Sequence, residues 1–413
     1  MKDYKGWKFK GRELIYIKNI LSSDFRALSS GTMNERLEIK FAKIHNQRYA
    51  VTANSGTSTL HMALNAFGVG HGDEVIIPGL TVAMCGYAVW QCGAVPVYAD
   101  VKKDTFLIDP LDIEKKITKK TKAIMVVHLY GLMCDMTEIM KIAKKNKLFV
   151  LEDCAQCVFA KDEKGRVAGT IGNVGSWSFE NSKHITTGDG GIVTTDNANL
   201  AKKMREFSCA GFRNVSALSG KVRIDRSKFQ DPNWKRHNIL AYNYRLPEVA
   251  AAIGLAQIER IDFFLSKRIL MGKKFRNVIS SSKCDILINQ LIPKKFIHSY
   301  YTFPCIFNGK KYGISWQEFR KKFIYFGGDG IYAAWQTVNN EPAFKNAKEK
   351  GLFSGSIKIS NSYGWGEVKN AEHIQKILMQ FTTNQRNLIE MNKQEKALRK
   401  VLAYYETNLN FKK

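Results

Sequence analysis

Lys183 stands in the run Ser178-Phe179-Glu180-Asn181-Ser182-Lys183-His184-Ile185-Thr186-Thr187-Gly188-Asp189-Gly190-Gly191, thirty residues after an Asp153-x-x-Gln156 that closes the apolar run Leu148-Phe149-Val150-Leu151-Glu152-Asp153. A lysine forms a Schiff base only as the free amine, so an enzyme that uses one surrounds it with a cofactor, a low dielectric or positive charge. The glycines at 188, 190 and 191 let backbone approach a bound group closely. A second signal is Asn54-Ser55-Gly56-Thr57-Ser58-Thr59, a turn of small residues that runs into the apolar stretch Leu60-His61-Met62-Ala63-Leu64. Where such a turn becomes a helix, backbone N–H groups lack partners and point outward, which makes a seat for phosphate. The residues thus offer an amine at Lys183, a carboxyl at Asp153, a hydroxyl at Ser178 and an anion seat at Gly56-Thr57.

The elements that must position these groups alternate regularly. Residues 35–46 have apolar side chains at helical spacing and lead into a short strand at 49–52. Strands follow at 74–78, 95–100, 123–128 and 148–153, separated by helix-length segments that include 81–92 and 135–146. Strands written as continuous apolar runs belong to a largely parallel sheet covered on both faces, and ligands bind beyond the carboxyl ends of such strands, where Asp153 lies. The expected fold class is therefore α/β, with a mostly parallel central sheet. After about residue 260 the pattern changes to a helix over 255–276, a strand over 300–307, a helix over 315–325 and an amphipathic stretch over 388–405. This predicts a large α/β domain over 1–260 that includes an N-terminal arm, and a smaller α+β domain over 261–413. The polar segment 213–237 reads as an insertion or mobile loop within the first.

Length and composition bound what these elements can serve. A chain of 413 residues with 45% hydrophobic side chains can fill two ordinary cores. It has no apolar stretch long enough to span a membrane, and Met1-Lys2-Asp3-Tyr4-Lys5-Gly6-Trp7 lacks the plan of a signal peptide, so a cytoplasmic protein without membrane insertion is expected. The net charge of +27 would attract polyanions, but the basic residues are scattered as singles and pairs without a basic arm or an aromatic RNA-binding signature. Nucleic-acid binding is not expected. Eight dispersed cysteines give neither a disulfide framework nor a zinc site, since Cys154-x-x-Cys157 has no second pair, and no metal is expected.

One ligand needs all four groups. Pyridoxal 5′-phosphate has a phosphate that seeks N–H and hydroxyl donors, a pyridine nitrogen that must keep its proton, and an aldehyde that condenses with lysine. Asp153 would hold the pyridinium proton through a charge-assisted hydrogen bond. Singly, each group has an ordinary alternative: an aspartate after a strand can be a helix cap, and a glycine run can be just a turn. Their order and spacing point to the cofactor.

With these motifs the chain resembles the DegT/DnrJ/EryC1/StrS family of sugar aminotransferases, within fold type I of the pyridoxal-phosphate enzymes. The likeness covers nearly the whole chain and rests on Ser55-Gly56-Thr57, His128-Leu129-Tyr130-Gly131, Glu152-Asp153-x-Ala155-Gln156, Ser178 to Lys183, Gly188-Asp189-Gly190-Gly191 and Tyr242-Asn243-Tyr244-Arg245-Leu246. The resemblance implies that Lys183 is the Schiff-base lysine and Asp153 the partner of the pyridine nitrogen. It places Gln156 at the cofactor's phenolic oxygen, and Gly56, Thr57 and Ser178 at the phosphate. Asn243 would reach the phosphate of a neighbouring subunit, so a homodimer with shared active sites is implied. L-Glutamate is the family's usual amino donor. Dehydrase relatives carry histidine at the lysine position, whereas here Lys183 is intact and His184 merely follows it.

Departures from the family pattern fall at one face of the cofactor ring and in the segments that commonly border the acceptor. Val82 follows Leu80-Thr81 where an aromatic residue usually stacks on the pyridine ring, leaving an aliphatic contact on that face and Ala155 on the other. The usual His-Tyr segment of the small domain is replaced by Gly327-Gly328-Asp329-Gly330-Ile331-Tyr332-Ala333-Ala334-Trp335-Gln336, and the usual Leu-Pro-Leu-His-Pro by Met379 to Asn384. Tyr332, Trp335, His184 and Arg245 are the candidate acceptor contacts. The expected acceptor is a nucleotide-linked keto-deoxysugar, aminated at C4 as in perosamine synthases, for a surface polysaccharide or glycoconjugate. A small keto-phosphate such as dihydroxyacetone phosphate is the competing acceptor. A non-catalytic, cofactor-bound regulatory or scaffold protein is the alternative of another class.

Overall fold

The structure is a computed structural model that describes residues 7–25, 31–220, 224–349 and 367–408; Met1–Gly6 and, within the polar segment 213–237, residues 221–223 lie outside it. The chain opens with α1 (Glu13–Ser22) and α2 (Met33–Ile44), the latter started by a capping box in which Thr32 and Glu35 satisfy each other's backbone N–H groups. Then follow β1 (Tyr49–Ala53), α3 (Gly56–Ala66), β2 (Glu74–Pro78), α4 (Ala83–Gln91), β3 (Val95–Ala99), α5 (Pro110–Lys116), β4 (Thr121–Val127), α6 (Met136–Lys145) and β5 (Phe149–Asp153). After these come β6 (Val174–Ser178), β7 (Gly191–Thr195), α7 (Ala198–Ser208), the short α8 (Arg226–Gln230), α9 (Glu248–Ile258) and α10 (Ile261–Ser281). The remainder comprises β8 (Leu287–Asn289), β9 (Thr302–Phe307), α11 (Trp316–Tyr325), β10 (Ile331–Ala333), α12 (Pro342–Glu349), α13 (Lys369–Ile377), β11 (Leu378–Thr382) and α14 (Leu388–Asn408).

The first seven strands form one sheet in the order β1-β7-β6-β5-β4-β2-β3. Neighbours from β3 to β6 pair in parallel, while β7 runs against both β6 and β1, so the sheet is mostly parallel as expected. Helices cover it: α6 buries Met136, Ile139, Ile142 and Ala143 and turns Lys141, Lys144 and Lys145 outward, the pattern of an amphipathic helix against a sheet. The other strands form an antiparallel sheet, β10-β11-β9-β8.

Two apolar clusters accompany the two sheets, and α10 links them, with Ile261 and Phe264 in the first and Met271, Phe275 and Val278 in the second. We propose the boundary between the two units near Arg260, although Ala334, Val338, Phe344 and Val368 return to pack in the first cluster. The long helix expected over 255–276 is interrupted at Glu259-Arg260, and the strand expected from Tyr300 starts at Thr302 because Tyr300, at φ 48°, turns the chain. The polar segment 213–237 holds α8, where the Asp225 side chain accepts the Ser227 N–H.

Candidate active site

Asp153 ends β5 in the middle of the sheet, and its carboxyl is buried. The Ala155 N–H donates to Oδ1 at 2.9 Å and the Cys85 thiol to Oδ2 at 3.4 Å. Burial pushes this carboxyl above the ordinary aspartate value, against the pull of the Ala155 N–H, the Cys85 thiol and the charge of Lys183. A thiol is a weak donor, so Oδ2 keeps capacity for a strong one. The neighbouring Glu152 is anchored separately. It accepts N–H groups from Gly169 and Ile171 at 2.8 and 2.7 Å and lies 2.9 Å from His128 Nε2. Because His128 Nδ1 accepts the Cys134 N–H at 3.1 Å, the ring proton sits on Nε2 and donates to Glu152. Burial alone would raise the Glu152 carboxyl, but His128 and the N–H groups of Gly172 and Gly169 outweigh it and hold it below its ordinary value. Glu152 thus fixes the strand end from which Asp153 projects.

The small-residue turn runs into a helix at Gly56. Ser55 caps α3 by accepting the Ser58 N–H at 3.0 Å, which leaves the N–H groups of Gly56 and Thr57 at the open end of the helix. A Cβ placed on Gly56 would stand 2.7 Å from Ser178 Cβ and 3.0 Å from its Oγ. Ser178 therefore borders the turn, and only glycine permits that approach. Gly56→Ala should force the two apart at a cost of roughly 1–3 kcal/mol, which, falling on the seat itself, corresponds to about a five- to 150-fold loss of cofactor affinity. Fluorescence titration of the cofactor-free protein measures it, with circular dichroism to verify that the fold is kept.

Lys183 lies on the turn between β6 and β7, with Nζ 4.8 Å from the centroid of the Tyr301 ring. Gln156 is buried, and its Oε1 accepts the N–H of Tyr130 at 2.9 Å. A backbone N–H can only donate, so the amide oxygen must face Tyr130 and the NH2 group is left for another acceptor. Tyr130 itself takes a left-handed conformation, φ 61°, to present that N–H. Val82 is the N-cap of α4 and half-buried, like Ala155.

Other candidates lie elsewhere. His184 is a correction: it is interior rather than acceptor-facing, 1% exposed, with Nε2 3.1 Å from the Ser299 carbonyl, and burial strongly disfavours its protonation. Asn243 and Arg245 are exposed and line a cavity of about 680 Å3 with Thr52, Glu38, Arg205 and Glu248, away from their own chain's Lys183 group. Their segment still runs along the anion turn, since the Tyr244 carbonyl accepts the Asn54 N–H at 2.8 Å. Tyr332 and Trp335 are exposed at 59% and 52%, on a segment tied to the Leu80-Thr81-Val82 turn where the Val338 N–H donates to the Gly79 carbonyl at 3.2 Å. Cys85, Tyr301 and Arg268 escape sequence reasoning, as no local motif marks a thiol, a phenol or one guanidinium among 64 basic residues. No group of three His, Cys, Asp or Glu among the described residues is arranged to hold a metal ion, and no helix there is long and apolar enough to cross a membrane.

These residues fit pyridoxal phosphate. The buried Asp153 oxygen has spare capacity, the Gly56 cradle would be filled by a Cβ, and the Lys183 amine lies on a turn that begins at Ser178. Fold and site together define a pyridoxal-phosphate-dependent aminotransferase. Residues 9–361 match the model of the DegT/DnrJ/EryC1/StrS aminotransferase family, and the chain belongs to that family. It is 39% identical over 271 residues to GDP-perosamine synthase of Escherichia coli O157:H7, covering 66% of this chain and 69% of that one. With GDP-perosamine synthase of Caulobacter vibrioides the identity is 39% over 263 residues, or 63% and 65% of the two chains. An aminotransferase structure from Psychrobacter cryohalolentis superposes with a TM-score of 0.82 at 27% identity, over 96% of this chain and 98% of that one.

Proposed function

We propose that this chain transfers the amino group of L-glutamate to the C4 keto group of a nucleotide-linked keto-deoxysugar, in the cytoplasm and as a homodimer with shared active sites. The observation that carries this reading is the 39% identity to two GDP-perosamine synthases, with Lys183, Asp153 and the Gly56 turn all in place. The dimer is supported by the surface beside Asn243, where Leu240 is 99% exposed and flanked by partly exposed Ile239 and Tyr242, a concentration of apolar side chains that a second copy would cover.

When bound, the cofactor supplies an electron sink for the pair left on the donor's α-carbon. Asp153 would keep the proton on the pyridine nitrogen, and the donors at Gly56, Thr57 and Ser178 would hold the phosphate. Once displaced by the substrate amine, Lys183 takes the α-proton as general base and returns it as general acid. Water then releases 2-oxoglutarate and leaves the amino group behind; for the keto-sugar the same lysine moves protons in the reverse direction, one water is given up, and the amino sugar leaves as the Lys183 amine returns to its place.

Visible absorbance tests the reading. L-Glutamate should bleach the cofactor band, and a GDP-linked 4-keto-6-deoxysugar should restore it. Recovery with dihydroxyacetone phosphate alone would overturn the sugar assignment in favour of the small ketone. No response to any amino donor would favour the scaffold reading.

A further inference from the structure

The turn that carries Lys183 is held by its carbonyl oxygens. The Asn181 carbonyl accepts from Lys8 Nζ at 3.2 Å, and the Ser182 and Lys183 carbonyls accept from one nitrogen of Arg268 at 3.3 and 3.4 Å. The other terminal nitrogen of Arg268 donates to the Tyr301 carbonyl at 2.6 Å and to Thr383 Oγ1 at 3.2 Å. This guanidinium is only 4% exposed, and all four of its partners are neutral oxygens. Burying a charge against neutral partners is costly, and desolvation brings Arg268 down to about 10. A merely structural tie between these segments would not require a charge.

Tyr301 is fixed at both ends. Its N–H donates to the Tyr130 carbonyl at 2.9 Å, its carbonyl is held by Arg268, and its hydroxyl lies 2.7 Å from Ser182 Oγ. What remains available is the ring, with Lys183 Nζ 4.8 Å and the Arg268 guanidinium 5.7 Å from its centroid. An ammonium over an aromatic face is attracted by the ring quadrupole. A lysine released from the cofactor has a four-carbon flexible stem, and each excursion away from the site delays its return.

We propose that Arg268 and Tyr301 are positioning residues for Lys183: Arg268 fixes the carbonyls of the lysine turn, and the Tyr301 ring holds the ammonium of the uncondensed lysine beside the place where, its proton given up, the amine meets the cofactor's aldehyde. The proposal rests on Lys183 being the Schiff-base residue. It gives the second unit, which supplies both residues, control over the reactivity of a lysine in the first.

Mixing the cofactor-free full chain with pyridoxal 5′-phosphate and following the visible band gives the rate at which amine and aldehyde condense with loss of one water. Pyridoxamine 5′-phosphate carries an amine in place of the aldehyde, so its affinity reports the phosphate and pyridine contacts without that condensation. Arg268→Met and Tyr301→Leu should slow condensation on the order of tenfold or more, with pyridoxamine phosphate affinity unchanged. Tyr301→Phe keeps the ring and should react like the parent. If Arg268→Met does not fold, the two Tyr301 variants decide alone. Parent-like condensation in Tyr301→Leu, or an equal loss of pyridoxamine phosphate affinity, would overturn the proposal while leaving Lys183 in its role. A Lys183→Ala protein that still developed the band at the parent's rate would overturn both.

Discussion

Lys183→Ala is expected to abolish turnover while leaving cofactor recognition largely in place. The side chain has two tasks: it holds the aldehyde covalently, and it carries the proton between donor carbon and cofactor carbon. General acid–base work alone is worth about 10²- to 10⁴-fold, and losing the covalent partner adds to that deficit. Lys8, which reaches the same turn, is unsuited to take over, since its amine is committed to the Asn181 carbonyl. His184, the next residue, is buried against Ser299 and strongly disfavoured as a proton carrier. Steady-state rates with L-glutamate and a keto-sugar nucleotide measure the loss. Borohydride reduction of the parent followed by peptide mapping should place the cofactor on Lys183, and added methylamine should restore part of the variant's proton transfer. Activity within tenfold of the parent would remove Lys183 from the mechanism.

What made this lysine readable from sequence is that its chemistry is written in contiguous motifs. The anion turn must be small residues before an apolar helix, and the acid must end an apolar strand, so Gly56 and Asp153 announce themselves without tertiary knowledge. The parallel sheet was readable for a related reason: strands such as Phe149–Asp153 are covered on both faces and carry no alternation. Arg268 and Tyr301 were not readable, because nothing local distinguishes them. Arg268 matters through four oxygens on residues 182, 183, 301 and 383, a convergence that only folding creates. His184 was misplaced because the sequence does not tell which side chain of the turn goes inward, and this one is buried. The helix expected over 255–276 spans Glu259-Arg260, where apolar periodicity continues but the backbone does not. There Arg260 turns instead to the carbonyl of Lys8, at 3.0 Å, which helps to bind the N-terminal segment to the junction.

Asp153→Asn should reduce turnover by about two to three orders of magnitude, the range seen when a single group opposite developing charge is removed. An amide cannot keep a pyridine nitrogen protonated, so the electron pair from the donor's α-carbon loses its sink. The geometry should survive: Oδ1 of asparagine still accepts the Ala155 N–H, and its NH2 group faces the Cys85 sulfur in place of Oδ2. Stability should move the other way. In the cofactor-free protein burial raises the Asp153 carboxyl above its ordinary value of 3.8, so the folded state holds this proton more tightly than the unfolded chain. Stability then falls as pH rises from that value through the raised one, as the buried carboxyl is made to ionise. Asparagine removes the penalty. The cofactor-free variant should therefore melt at a higher temperature than the cofactor-free parent at pH 7, with the difference shrinking at acid pH. Pyridoxal phosphate should stabilise the parent more than the variant, because only the carboxylate gains a pyridinium partner. Calorimetry across pH, with and without cofactor, separates these effects. A variant less stable than the parent in both forms would mean that Asp153 serves the fold rather than the ring nitrogen.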